Sequence, residues 1–217
     1  MKIDSHHFLT FAFATILSLN VRAGSPACIN SDDGLGPYYP PKPTGLPFYG
    51  AVPLKGHELA TNDLNRNPLT GAQSQIGEIT KLIGTVVDEN GAPLAGALVE
   101  LWNTAPSGSY TVERNAKNLD PGFFGYGKTL SDSSGGFEFK TVYPSSYTRY
   151  GFLIRRPPHF HFRISHADIK PIGLEIEVAP KTYSISPCEN KIHLLEIDEG
   201  HFEGQLRVIV RKLQKTE

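Results

Sequence analysis

Apolar and polar side chains alternate along several short segments of the 217-residue chain from Glu78 onward. The alternation is clear in GFEFK at 136–140 and in HFHFRI at 159–164. Successive side chains of a β-strand point to opposite faces, so an alternation with a period of two buries one face of the strand and exposes the other to solvent. Turn signals such as Asn90-Gly91 separate these segments, and no helical stripe or internal repeat accompanies them. The pattern predicts an all-β fold, an antiparallel β-sandwich with long loops, over residues 78–217.

The preceding segment, residues 24–77, has a different texture and is called the N-terminal arm. It is rich in proline and carries aromatic side chains such as Tyr38 and Tyr39, which need a surface to pack against. We therefore expect an extended arm that packs on the sandwich, with at most one short helix near residues 56–64.

Residues 1–23 combine Lys2, an apolar stretch and a small-residue cleavage site that ends at Ala23. They predict a secretory signal peptide and a secreted or periplasmic protein. A membrane anchor is the alternative, but the apolar stretch is shorter than the roughly 20 residues that a spanning helix needs. Export favours a disulfide between Cys28 and Cys188, the two cysteines of the chain, over two separate buried thiols.

The segment RRPPHFHFRI raises the question of a metal site. On a strand, His159, His161 and Arg163 share one face, while the phenylalanines between them point to the core. Two histidines at this spacing can bind one ion, although a solvated or hydrogen-bonded pair is equally compatible with the pattern.

Several stretches together carry a resemblance to a known family. They are GTVVDENGAPLAGALVELWNTAPSGSY, which ends at Tyr110, DPGFFGYGKTLSDSSGGFEF, the segment with Tyr147 three residues after Pro144, and RPPHFHF. In this order and spacing they resemble the intradiol ring-cleavage dioxygenases, non-haem Fe(III) enzymes that open catechols between the two hydroxyls. The resemblance extends from about Gly36 to Phe162.

The resemblance implies a ferric ion held by two tyrosinates and two histidines, which fall on Tyr110, Tyr147, His159 and His161. Tyr147 is also implied to be the ligand that leaves the metal and takes up a substrate proton. Tyr143 and Tyr150 compete with Tyr147 for this place in the sequence. Ferric iron is a hard ion, and it can hold hard phenolate oxygens ionised although the pKa of free tyrosine is about 10.

Further site residues follow from the same resemblance. Arg156 is implied to stabilise negative charge on the bound substrate, and Gly36, Pro37 and Tyr38 are implied to line the substrate pocket. Glu175 stands where the family has a glutamine. Its carboxylate would bind the metal, repel an anionic substrate or point away, and the sequence leaves these options open.

The implied reaction consumes a small aromatic diol and dioxygen and yields a cis,cis-muconate-type diacid. The net charge of −1 argues against a nucleic-acid or anionic-membrane partner. The main alternative is a secreted transthyretin-like or carboxypeptidase-regulatory-like β-sandwich that binds without catalysis. A sandwich that holds zinc or copper is another alternative. The particular catechol and the oligomeric state are left open.

Overall fold

The computed structural model describes residues 28–43, 51–149, 154–186 and 189–214. The predicted signal peptide, Tyr150 and Cys188 lie outside these residues, so the predictions made for them stay predictions. The regular structure is a 3-10 helix, His57–Leu59, and the strands β1 (Ile79–Asp88), β2 (Leu98–Asn103), β3 (Tyr126–Leu130), β4 (Gly136–Val142), β5 (Tyr147–Arg149), β6 (Ile154–Arg156), β7 (His159–Ser165), β8 (Ile172–Val178), β9 (Lys191–Ile192), β10 (Leu194–Asp198) and β11 (His201–Val210). No helix in the described part of the chain is long and apolar enough to cross a membrane.

Two sheets pack face to face, which confirms the predicted β-sandwich. One has the strand order β10-β11-β1-β4 and the other the order β3-β2-β7-β8-β9, while β5 and β6 form a separate ribbon. The alternation in the sequence buries Phe137 and Phe139 from the first sheet against Phe162 from the second, with ring centroids 6.1 and 6.3 Å apart. Burial of these rings provides much of the apolar contact that joins the two layers.

The pairing of β1 adds a feature that the short-range pattern does not contain. β1 runs antiparallel to β4 on one side and parallel to β11 on the other, in register from Ile79 opposite His201 to Asp88 opposite Val210. Strands this far apart in sequence have no hairpin turn between them, so nothing local dictates an antiparallel direction.

The turn predicted at Asn90-Gly91 is present, and Gly91 adopts a positive φ of 82°. The Asp88 carboxylate accepts hydrogen bonds from the Asn90 and Ala92 amides at 2.9 Å each. The two strands on either side do not pair, however, because β1 joins the first sheet and β2 the second. The turn therefore connects the layers of the sandwich.

The N-terminal arm covers the outer face of the five-stranded sheet. A second cluster of buried side chains forms there, separate from the core between the sheets, and it includes Tyr38, Tyr39, Trp102, Tyr110 and Tyr126. The outer face of this sheet is thus enclosed and can hold polar side chains away from water.

Candidate active site

The strand β7 places both histidines of the HFHF motif in the enclosed space beneath the arm. His159 and His161 are 2% and 5% exposed, whereas Phe160 and Phe162 point into the core, as the alternation predicts. The Nε2 atoms of the two imidazoles each lie 3.1 Å from the hydroxyl oxygen of Tyr110. Three donor atoms from two distant segments therefore converge on one point.

The tautomer of His159 suits a ligand. Its Nδ1 lies 2.7 Å from the carbonyl oxygen of Pro157. Since a carbonyl only accepts, Nδ1 carries the proton, and the lone pair on Nε2 faces Tyr110. The carbonyl that fixes the ring comes from the prolines directly before the motif, which gives the PPHFH sequence a local physical reason.

Tyr147 completes a group of four aromatic side chains. Its ring lies edge-on to Tyr110 at 5.8 Å and 5.6 Å from the His159 imidazole. Its competitor Tyr143 packs instead on Phe202, at 5.2 Å. The structure therefore brings together the four side chains that the sequence predicts as ligands, and their role stays a prediction.

Two loops are tied together to bring Tyr110 and Tyr147 within reach of each other. Thr104 Oγ1 donates to the Ser145 carbonyl and accepts from the Ser145 amide, both at 3.1 Å. Gly108 has φ +80°, and a Cβ there would lie 3.3 Å from the Ser146 carbonyl oxygen. The glycine of the Gly-Ser-Tyr motif is needed for this close approach.

The arm residues predicted to line the pocket lie directly over the cluster. The Tyr38 ring stacks on Tyr110 with centroids 4.6 Å apart and an interplanar angle of 17°. Gly36 has φ +63°, and a Cβ there would lie 3.4 Å from His161 Cε1. Pro37, between them, is half-buried. This segment shields the donor atoms from solvent.

Arg156 and Glu175 lie beside the histidines and pair with each other. The Arg156 guanidinium donates from Nη2 to Glu175 Oε1. Glu175 is also opposite His161 in the register of β7 and β8. One of its carboxylate oxygens and one ring nitrogen each of His159 and His161 lie within 4.8 Å of one another. The carboxylate therefore faces the cluster, where it is close enough to affect a ligand or a metal.

Open clefts adjoin the cluster on two sides. One of about 450 Å³ is lined by Tyr38, Gly108, Tyr147 and Arg155, among others. The other, of about 410 Å³, contains the Arg156–Glu175 pair. A larger cavity of about 670 Å³ lies elsewhere and includes none of the four clustered side chains. A small ring can therefore approach the cluster from solvent.

The donor set fits a ferric ion. The hydroxyl oxygen of Tyr110 and two imidazole nitrogens converge on one point, the Tyr147 ring lies beside them, and the His159 tautomer presents an unprotonated nitrogen. Phenolates supply hard anionic oxygen, and neutral imidazoles fill further positions without adding charge. Zinc and copper sites favour imidazole and thiolate over paired phenolates.

A buried polar network beside the cluster was not predicted. The Glu100 carboxylate accepts hydrogen bonds from the hydroxyls of Tyr39 and Tyr126, at 2.7 and 2.6 Å, and from Arg163 Nη1 at 2.8 Å. Burial, followed by the hydrogen bond to Glu100, raises the pKa of Tyr39 and of Tyr126 well above the usual range. Both phenols therefore keep their protons and donate hydrogen bonds to Glu100.

Trp102 links this network to the histidines. Its indole stacks on the His161 ring, with centroids 5.1 Å apart and planes 6° from parallel, and it also contacts Tyr39. In the β2 sequence LVELWN, Glu100 and Trp102 alternate with residues that face the core. The period of two in this sequence is therefore a signal that could have predicted both side chains on the outer face of the sheet. Their partners depend on strand register, which the sequence does not state.

Comparison with known proteins identifies the family. The family model named Dioxygenase matches residues 51–187, more than half of the chain. The chain belongs to the intradiol ring-cleavage dioxygenase family. Family membership favours the enzyme over the binding module that the sequence left as an alternative.

The relatives of this chain cover different shares of it. The protocatechuate 3,4-dioxygenase beta chain of Burkholderia cepacia is 33% identical over 54% of this chain and 50% of its own length. The catechol 1,2-dioxygenase of Candida albicans is 33% identical over 46% of this chain and 37% of its own. The chain thus spans half or less of the length of these two curated relatives.

A solved structure matches more of the length. The intradiol ring-cleavage dioxygenase of Tetranychus urticae has a TM-score of 0.59 and 17% identity, and the match covers 87% of this chain and 97% of that one. At this identity the likeness establishes the fold alone.

Proposed function

We propose that this protein is an Fe(III)-dependent dioxygenase that cleaves a catechol-type diol between its hydroxyls to a cis,cis-muconate-type diacid. One observation carries the proposal. The hydroxyl oxygen of Tyr110 lies 3.1 Å from the Nε2 atoms of both His159 and His161. A phenol enclosed between two imidazoles, with Tyr147 at its edge, is a set of donors that suits ferric iron.

In this proposal Tyr110, Tyr147, His159 and His161 hold the metal. Ferric iron held there would supply the Lewis acidity that favours the doubly deprotonated form of a catechol and makes its ring reactive toward dioxygen. The protein's contribution is the fixed arrangement of donors. Pro157 holds the His159 tautomer through its carbonyl, and Trp102 holds the plane of His161 by stacking.

The remaining side chains act on the substrate. In its ionised form Tyr147, in the ribbon strand β5 beside an open cleft, would accept a proton from a catechol hydroxyl on its phenolate oxygen and become a neutral phenol. Arg156 offers positive charge near the ring as negative charge develops on it. Gly36, Pro37 and Tyr38 cover the cluster on the side of the N-terminal arm and exclude water. Exclusion of water strengthens the interactions of Tyr147 and Arg156 with the substrate.

The test begins with the purified protein. We expect iron bound near one equivalent, a burgundy colour from phenolate-to-iron charge transfer, and oxygen uptake with catechol that yields a cis,cis-muconate. Tyr110→Phe keeps the ring and removes one of the two phenol oxygens, so the charge-transfer band should weaken and the activity should fall by about 100-fold. Tyr143→Phe is the matched control, because Tyr143 packs on Phe202.

Three results would contradict the proposal. They are a protein that stays colourless after ferric iron is added, extradiol products, and zinc or copper as the metal that supports activity. We also propose that the protein works outside the cytoplasm, since residues 1–23 match a signal peptide. N-terminal sequencing of the exported protein tests this, and an intact Met1 in that protein would refute it.

A further inference from the structure

We propose that the hydrogen bond from Tyr39 to Glu100, called here the arm latch, holds the N-terminal arm closed over the tyrosine–histidine cluster. Tyr39 is then a positioning residue for the reaction, and the inference rests on the proposed function in that respect. The cluster itself does not contact Glu100 in any hydrogen bond described above, so the latch acts through the arm.

The arm is fixed to the sheet on one side of the cluster by hydrogen bonds to the backbone of β8. The amide of Asp33 donates to the Gly173 carbonyl at 2.7 Å, and the Gly173 amide donates to Asp32 Oδ1 at 3.0 Å. The Glu175 amide donates to Asp33 Oδ2 at 3.1 Å. These bonds attach residues 32–33 to β8, next to the strand that carries both histidines.

The latch fixes the arm on the other side. The Tyr39 hydroxyl donates to Glu100 Oε1 at 2.7 Å, and the Tyr39 ring packs on Trp102 and beneath the Arg163 guanidinium. Arg163 and Tyr126 also donate to the same buried carboxylate, which therefore has donors on both oxygens. A carboxylate that is satisfied in this way binds each phenol strongly.

The residues that touch the cluster lie between these two attachments. Gly36 packs against His161, and Tyr38 stacks on Tyr110. Tyr38 is adjacent to Tyr39 in the chain, so release of Tyr39 also releases the ring that covers Tyr110.

The chain offers a matched pair of variants. Tyr39 and Tyr126 donate to the same oxygen of Glu100 at nearly the same distance, but Tyr39 belongs to the arm and Tyr126 to β3. Tyr39→Phe and Tyr126→Phe each remove one phenol hydroxyl next to one carboxylate. If the Glu100 carboxylate only stabilised the protein as a whole, both variants would behave alike. If Tyr39 holds the arm closed, only Tyr39→Phe should loosen the arm.

The first measurement is hydrogen exchange in the metal-free protein. The Leu54 amide donates to the Pro40 carbonyl at 2.9 Å and the Lys42 amide to the Tyr39 carbonyl at 3.2 Å, so both report on the arm beside the latch. Their exchange, relative to the Leu82 amide in β1, should rise about tenfold in Tyr39→Phe, as loss of one hydrogen bond to a charged group predicts. It should stay unchanged in Tyr126→Phe.

The second measurement uses the iron-loaded protein. The rate at which a chelator removes iron should rise about tenfold in Tyr39→Phe and not in Tyr126→Phe. Equal changes in the two variants, or no change in either, would overturn the inference. Hydrogen exchange needs neither iron nor substrate, so a latch can be refuted even in a fully active protein. Absence of oxygen uptake in the unmodified protein would refute the proposed function instead.

Discussion

Tyrosine has two different chemical roles on the outer face of the five-stranded sheet. Tyr39 and Tyr126 point at a buried carboxylate, and burial with that hydrogen bond raises the pKa of both phenols, so they remain neutral donors. Tyr110 and Tyr147 face imidazole rings instead. A cation bound among them would favour the phenolate form. The neighbouring side chain, and not the residue type, decides which phenols can serve as ligands.

Glu175 is the residue whose charge should select among substrates. A ring carboxylate about 10 Å from Glu175 would be repelled by about 1.7 kcal/mol at an effective dielectric of about 20, roughly tenfold or more in kcat/KM. Glu175→Gln also frees the charge of Arg156. We expect the ratio of kcat/KM for 3,4-dihydroxybenzoate to that for catechol to rise about tenfold, measured by oxygen uptake.

The control for this substitution is Glu177→Gln. Glu177 lies two residues along β8, on the same face and in the same cleft, but opposite His159 and without the ion pair to Arg156. Glu177→Gln should change the ratio of the two kcat/KM values far less than Glu175→Gln does. If both glutamine variants shift the ratio equally, the selectivity comes from the general charge of the cleft and not from Glu175.

At the scale of elements, the loop that carries Tyr110 depends on a backbone conformation. Gly108→Ala should cost about 1–2 kcal/mol of unfolding free energy, because φ is +80°, and the added methyl would also push on the Tyr147 loop. Gly96→Ala is a suitable control, because φ there is +74° and nothing lies within 4 Å of the added Cβ. Both variants should lose stability in chemical denaturation, but only Gly108→Ala should shift the visible absorption band.

Asp120 supports the segment that precedes β1. Burial disfavours its charge, but hydrogen bonds from the Gln75, Gly122 and Ile76 amides and from Ser74 outweigh that cost and hold the pKa of Asp120 below its usual range. The stabilisation is present above the unfolded-state pKa of about 3.9 and is lost as pH falls through the lower folded-state pKa.

Asp120→Asn should therefore lower the free energy of unfolding at pH 7 by about 1–3 kcal/mol and make the fall in Tm below pH 4 shallower. Thermal unfolding followed by circular dichroism from pH 2 to pH 7 measures both effects. If Tm falls below pH 4 as steeply in Asp120→Asn as in the parent protein, the stabilising carboxylate lies elsewhere.

At the scale of the whole molecule, the arm and the sandwich are separate in sequence but share one polar interior. The predicted bridge between Cys28 and Cys188 would fix the start of the described arm to the body of the protein. We expect a disulfide in non-reducing mass analysis, and reduction should lower stability by about 2–5 kcal/mol. Two free thiols in the folded, exported protein would contradict this.

The parts that the sequence predicts are those with a local physical cause. Period-two alternation assigned His161 and Phe162 to opposite faces of β7, and Gly108 marked the loop that presents Tyr110. The buried partners of Glu100 and the ion pair of Glu175 depend on which strands are neighbours and in which register. Those facts belong to long-range pairing, which no short window of sequence contains.

The parallel pair of β1 and β11 also bears on how the protein forms. Each strand finds its partner more than a hundred residues away, and β1 lies between β4 and β11 in its sheet. Until β11 has paired with it, β1 presents an unsatisfied edge with alternate apolar side chains, which is a template for association with other chains. Folding should accordingly be slow, and it should depend on protection of that edge until β11 joins the sheet.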